Sequence, residues 1–205
     1  MQYQIKAVAF DAFGTLVEIR DKRRPYARLA KAAAQPLARS PMCEPIDLDA
    51  MARLCGLTLD ASEMDNLHAD LQAELASTQP YPEAQEVLEE LRRLGIRTAV
   101  ASNLALPYAR PIDDKLGHLL DVSCMSFEVG FVKPDADFYN ALCERLDLLP
   151  QEILMIGDTW RCDYSGATGA GLQAIHLDRQ REARPDQRCV STSDLRGVLS
   201  FIERR

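Results

Sequence analysis

Six polar residues of this chain stand at points where an apolar run stops or turns, and their types suit the displacement of a charged group. Asp11 ends the run 5–10 (IKAVAF) and precedes Gly14-Thr15, while Ser102-Asn103 follow the short run 97–101. Lys133 opens Lys133-Pro134-Asp135, Asp158 follows the run 153–156 (ILMI) and Gly157, and Asp163 lies a helical turn further on. A carboxylate can attack an electrophile or hold a hard cation, a hydroxyl and an amide can donate to oxyanions, and an ammonium can neutralise the charge that gathers. Each residue also has an ordinary role, as a capping Asp, a turn Ser or a surface Lys. What singles them out is that all fall at strand ends of one type of sheet.

The pattern of elements predicts that sheet. From residue 81 onward short apolar runs alternate with amphipathic stretches: a helix over 82–94 closed by Gly95, a strand over 97–101, a helix over 107–116, a strand over 122–127 and a helix over 136–146. Then come a strand over 153–156, a helix over 162–170, a strand over 173–177 and a helix over 193–202. Strands separated by crossover helices imply an α/β, doubly wound parallel sheet, whose ligand site lies beyond the carboxyl ends of its strands. Residues 16–78 differ. They are rich in Ala, Leu and charged residues and are interrupted by Pro36, Pro41 and Pro45. Helices are expected over 26–37, 47–54 and 62–75, the last opened by Ser62 and Asp65. The expected organisation is a core of residues 1–15 and 79–205, with 16–78 inserted after the first strand as a small helical cap.

Composition narrows the classes. The 205 residues carry 24 basic and 31 acidic side chains, a net charge of −7, and 47% are hydrophobic. A sizeable core is therefore available, and nucleic acid or an anionic membrane is not expected as a partner. No apolar stretch is long enough to span a bilayer and the first residues lack a leader pattern, so a cytoplasmic location is expected. The basic runs 21–24 and 178–188 contain acidic residues and read as solvated faces. The six cysteines are scattered, without C-x-x-C, and are expected to be reduced thiols. Only 183–189 has the composition of a mobile loop.

Phe10-Asp11-Ala12-Phe13-Gly14-Thr15-Leu16, Ala101-Ser102-Asn103, Lys133-Pro134-Asp135 and Ile156-Gly157-Asp158-Thr159 with Asp163, in this order, resemble the four motifs of the haloacid dehalogenase-like hydrolase superfamily. The helical insert falls where that family carries its type 1 cap. The resemblance implies a Rossmann-like core in which Asp11 is the nucleophile of a covalent aspartyl intermediate. It makes Ser102, Asn103 and Lys133 substrate-binding groups, with Ser102 and Lys133 also catalytic. Mg²⁺ would be held by Asp11, the backbone carbonyl of Phe13 and Asp158, with Asp163 holding the metal's waters or orienting Lys133.

Phe13 departs from the phosphatase pattern, which has a second Asp two residues after the nucleophile to protonate the leaving group and activate water. An aromatic residue there resembles the haloacid dehalogenase branch, where a halide leaves without a proton. Gly157-Asp158 with Asp163 resembles the metal-binding form instead, and three adjacent carboxylates repel one another unless a cation joins them. The expected function is a Mg²⁺-dependent hydrolase of a small phosphate monoester, slowed by Phe13. A 2-haloacid dehalogenase, in which Arg39 of the insert would receive the substrate, and a non-hydrolytic member binding a phosphorylated metabolite or a protein partner are the alternatives. Phe13, Tyr108, Phe131 and Tyr139 are candidates for an apolar pocket wall or for the core. Trp160 is expected to pack against the cap and Cys162 to be structural. The partner is a small molecule, and the protein is a monomer or a homodimer.

Overall fold

The structure, a computed structural model, describes residues 3–33, 35, 37, 41–180 and 189–203. Six parallel strands form the sheet: β1 (Ala7–Phe10), β4 (Arg97–Ser102), β5 (Val122–Met125), β6 (Ile153–Gly157), β7 (Gln173–Leu177) and β8 (Ser191–Thr192). Their order is β5-β4-β1-β6-β7-β8. Strand order reverses at β1, so the crevice of a doubly wound sheet falls at its carboxyl end, where Asp11 follows Phe10. The α/β doubly wound fold expected from the sequence is the fold observed.

β1 is buried on both faces, which is why it reads as an unbroken apolar run rather than as an alternation. Val8 and Phe10 point into one layer with Val87, Leu88 and Leu91 of α4 (Ala84–Arg93) and Ile112 and Leu116 of α5 (Arg110–Leu116). Ala7 and Ala9 point the other way, and their small size admits Phe138, Tyr139 and Leu142 of α7 (Ala136–Leu146). The same strand thus carries large residues toward one layer and small ones toward the other. Removing the ring of Phe10 would cost about 3–5 kcal/mol.

The insert leaves the core through a two-stranded antiparallel ribbon, β2 (Val17–Ile19) and β3 (Thr78–Pro80), which the sequence reading did not anticipate. Between them stand α1 (Pro25–Ala32), α2 (Leu48–Leu54) and α3 (Ala61–Ala76), packed on their own cluster of Leu29, Leu48, Met51, Leu67 and Leu71. The capping box of α3 is Asp60 with Glu63, not Ser62 with Asp65: Asp60 accepts from the Glu63 N–H at 2.9 Å and Glu63 accepts from the Asp60 N–H at 2.8 Å. Helix α1 ends at Ala32, short of the expected 37.

Three other boundaries move. The strand expected to reach Phe127 stops at Met125 and turns into α6 (Ser126–Val129). The helix expected over 162–170 is a π-helical turn, Trp160–Gly166, continued by α8 (Ala167–Gly169). The last helix, α9 (Gly197–Glu203), starts four residues later than expected. Cys43, Cys55, Cys124, Cys143 and Cys162 are free thiols, and among the described residues no helix is long and apolar enough to cross a membrane. The loop expected over 183–189 lies outside the described residues except for Cys189, and Arg39 lies outside them as well.

Candidate active site

Lys133 organises the floor of the crevice. Its Nζ is buried and donates to Asp11 Oδ1 at 2.8 Å, to Asp163 Oδ1 at 2.6 Å and to the Ala101 carbonyl at 2.8 Å. Burial alone would lower the pKa of this ammonium, but the two carboxylates outweigh it and hold the group charged. Ser102 Oγ also donates to Asp11 Oδ1, at 2.9 Å. One oxygen of Asp11 is therefore tied down by two donors, while no described residue donates to the side chain's Oδ2. That leaves Asp11 with one fixed and one free oxygen, the form a nucleophile needs.

Asp163 is buried, with both oxygens committed, Oδ1 to Lys133 and Oδ2 to the Thr159 N–H at 2.9 Å. It aims Lys133 and braces the loop after β6. Gly157 is required beneath it, because a Cβ there would lie 2.2 Å from Asp163 Cγ. Burial pushes the Asp163 carboxyl up, with Lys133 opposing. Asp158 stands at the solvent side, and its carboxyl is raised by burial and by Asp11. It lies directly over Gly14, whose φ of +88° and lack of a Cβ both matter: a Cβ would come within 2.1 Å of Asp158 Oδ2.

Oxygens of Asp11, Asp158 and Asp163 all lie within 4.8 Å of one another. The Phe13 carbonyl accepts no hydrogen bond from the described residues. An all-oxygen donor set, with three carboxylates against one ammonium, fits a hard divalent cation such as Mg²⁺.

Asn103, expected to touch substrate, bonds the backbone of Lys133 with its amide. Its Nδ2 donates to the Lys133 carbonyl at 2.8 Å and its Oδ1 accepts from the Lys133 N–H at 2.7 Å. It fastens the third strand-end loop to the second.

Arg179 is a residue that sequence reasoning missed. It belongs to the run 178–188, read as solvated, yet it is half-buried and bonds the Gly14 carbonyl at 3.1 Å, the Thr15 carbonyl at 2.8 Å and Glu83 Oε1 at 2.7 Å. Its guanidinium lies 3.6 Å from the centre of the Tyr81 ring. The signal that could have found it is position: it follows the end of β7, the same sheet edge as the other polar residues. Thr15 was also passed over; its Oγ1 is buried with no partner among the described residues.

Above this floor, between core and insert, lies a cavity of about 460 Å³ whose lining includes Phe13, Asn103, Tyr26 and Tyr108, with Lys22 and Arg24 exposed at its rim. The Phe13 and Tyr108 rings meet edge to face with centroids 5.7 Å apart, and Tyr26 adjoins Tyr108 at 5.9 Å. Of the four aromatic candidates, Phe13 and Tyr108 line this cavity; Tyr139 is in the core and Phe131 is exposed. Trp160 stacks on Tyr164, with centroids 6.3 Å apart. The Cys162 Sγ approaches the Lys133 carbonyl at 3.5 Å, and burial pushes its thiol up, away from reactivity.

Polar residues at the ends of β1, β4 and β6, with Lys133 from the loop after β5, thus meet at one edge of the sheet. The family model described as haloacid dehalogenase-like hydrolase matches residues 5–171, and the chain belongs to that family. It is 36% identical over 127 residues to the phosphoserine phosphatase of Thermus thermophilus, a match covering 58% of this chain and 49% of that protein. The chain thus spans about half the length of this relative. It is 27% identical over 197 residues to (S)-2-haloacid dehalogenase 4A of Burkholderia cepacia, covering 86% of this chain and 84% of that one. In fold it is similar to a HAD phosphatase from Thermococcus onnurineus, with a TM-score of 0.68 at 22% identity over 95% of this chain and 98% of that one.

Proposed function

We propose that this hydrolase cleaves a small phosphate monoester with Mg²⁺ bound, through an aspartyl-phosphate on Asp11. The cluster of Asp11, Asp158 and Asp163 carries this reading, because three carboxylates within 4.8 Å are costly without a cation. Bound by Asp11, the Phe13 carbonyl and Asp158, the cation would offset the charge of the phosphoryl oxygens. Lys133 and Ser102 hold Asp11 by its Oδ1 so that its free Oδ2 meets phosphorus, and the Lys133 charge offsets that of the transferring oxygens. Asp163 acts as the positioning residue of Lys133. The insert serves as the cap that covers the site and excludes water.

Phe13 can neither protonate a leaving oxygen nor activate water, functions typically worth 10²–10⁴-fold. A slow enzyme is the consequence. The same residue, and a likeness over 86% of the chain that must include much of the insert, favour a second reading: displacement of halide from a 2-haloacid by Asp11, with an ester intermediate.

The deciding experiment measures phosphate release from an aryl phosphate and chloride release from 2-chloropropionate, each with Mg²⁺ and with chelator, and with Asp11→Asn as control. Phosphate release that needs Mg²⁺ and vanishes in the variant is the expected result. Chloride release that survives chelation would replace it with the dehalogenase.

A further inference from the structure

We propose that the substrate's leaving group is an aromatic ring, so that the enzyme acts on aryl phosphates whose ring fills the cavity lined by Phe13 and Tyr108; this rests on the phosphatase reading above. Two independent observations lead there. One is chemical: with Phe13 where an acid would stand, the leaving oxygen must depart without a proton, which a phenolate does far more readily than an alkoxide.

The other is the state of the polar groups around the cavity. Glu74 is buried, and its oxygens accept from the Arg24 N–H at 3.2 Å and the Tyr108 hydroxyl at 2.7 Å. The Tyr26 hydroxyl donates to the Ile46 carbonyl at 3.2 Å, and both ends of the Asn103 amide are taken by Lys133. Apart from Lys22 and Arg24 at the rim, the lining is therefore largely apolar, and the polar ends of Glu74, Tyr26, Tyr108 and Asn103 are occupied. A sugar or amino-acid alcohol would lose its water here and find those donors and acceptors already committed. A ring loses nothing of that kind and gains edge-to-face contact. At about 460 Å³ the cavity suits a substituted ring.

The step balances simply. Asp11 Oδ2 forms a bond to phosphorus as the bond from phosphorus to the aryl oxygen breaks, and the electron pair leaves on the phenolate, which takes its proton from solvent. Water then attacks phosphorus, the Asp11 carboxylate is released, and both protons of that water leave on phosphate.

Two arms test the assignment, both with the full chain and Mg²⁺. In the first, kcat/KM is measured for a series of substituted phenyl phosphates and for ethyl phosphate, in the wild type and in Phe13→Asp. The wild type should fall steeply as the leaving group becomes more basic, with ethyl phosphate at least about 10²-fold below phenyl phosphate, and Phe13→Asp should flatten that slope. In the second, binding of phenylphosphonate and methylphosphonate is measured by calorimetry, without turnover. The phenyl compound should bind at least about tenfold more tightly, and Tyr108→Ala should narrow the gap while Tyr108→Phe preserves it. Equal affinity for the two phosphonates, or equal rates for aryl and ethyl esters, overturns the proposal and leaves the phosphatase reading standing. A clear preference for the phenyl ligand with no ester cleaved overturns the hydrolytic reading and retains the ring site.

Discussion

The floor and the roof of the crevice are built on opposite principles. The floor is a saturated ionic lattice in which one ammonium holds two carboxylates and a carbonyl at 2.6–2.8 Å. The roof is mostly rings and apolar side chains, with Lys22 and Arg24 at its rim and the Tyr26 and Tyr108 hydroxyls bonded to protein. Floor contacts are fixed by the chemistry to be done, since moving any one of them leaves a buried charge unpaired. Roof contacts answer only to the shape and polarity of whatever is bound.

The sharpest way to break this contrast is at Lys133. Lys133→Met leaves Asp11 and Asp163 close together with no counter-charge, and should cost about 3–5 kcal/mol of stability as well as activity, read by urea unfolding. A cost below about 1 kcal/mol would mean that the floor is no more constrained than the roof.

The next test separates proton from cation. The carboxyls of Asp158 and Asp163 are both raised, that of Asp163 to about 6 against an ordinary 3.8. A raised carboxyl favours the protonated folded state. Its stabilising effect is present below the ordinary value and is lost as pH climbs through the folded value, in the window from about 3.8 to about 6. Mg²⁺ should restore stability above that window, by about 2.7 kcal/mol at a hundredfold excess over its Kd, and should restore less at pH 5, where protons neutralise part of the negative charge that attracts it. Thermal melts at pH 5 and pH 7.5 with and without Mg²⁺ check this; an equal shift at both would remove the carboxylates from the metal site.

The smallest effect belongs to the roof. Tyr108→Phe deletes the hydroxyl that satisfies Glu74 but keeps the ring against Phe13, so it should cost about 1–2 kcal/mol and leave catalysis on the floor intact. Chemical denaturation beside an activity assay measures both, and a loss of turnover larger than the loss of stability would tie roof to floor.

Much of the sheet was legible in the chain because β1, β4, β6 and β7 are short apolar runs that end in polar residues, and α4 and α7 have strong helical spacing. The ribbon of β2 and β3 was not, since three-residue strands carry too little pattern to register. The π-helical turn at Trp160–Gly166 was invisible for another reason: what fixes it is tertiary, the need to bring Asp163 beneath Lys133. Asp11, Ser102, Lys133, Asp158 and Asp163 stood out as polar residues at strand ends, and Asp11, Ser102, Lys133 and Asp163 form one hydrogen-bonded group. Nothing in the sequence says that Asn103 braces Lys133 or that Glu74 answers Tyr108, because both depend on partners far along the chain. Arg179 was lost in a charge run whose other members set the expectation.

That arginine also bears on how the molecule comes into being. The carbonyls it holds belong to Gly14 and Thr15, beside the nucleophile, and they lie 165 and 164 positions earlier in the chain. Synthesis runs from the amino end, so the loop after Asp11 is made well before the residue that restrains it. Until the end of β7 has been made and has joined the sheet, the Gly14 and Thr15 carbonyls beside Asp11 lack this fastening.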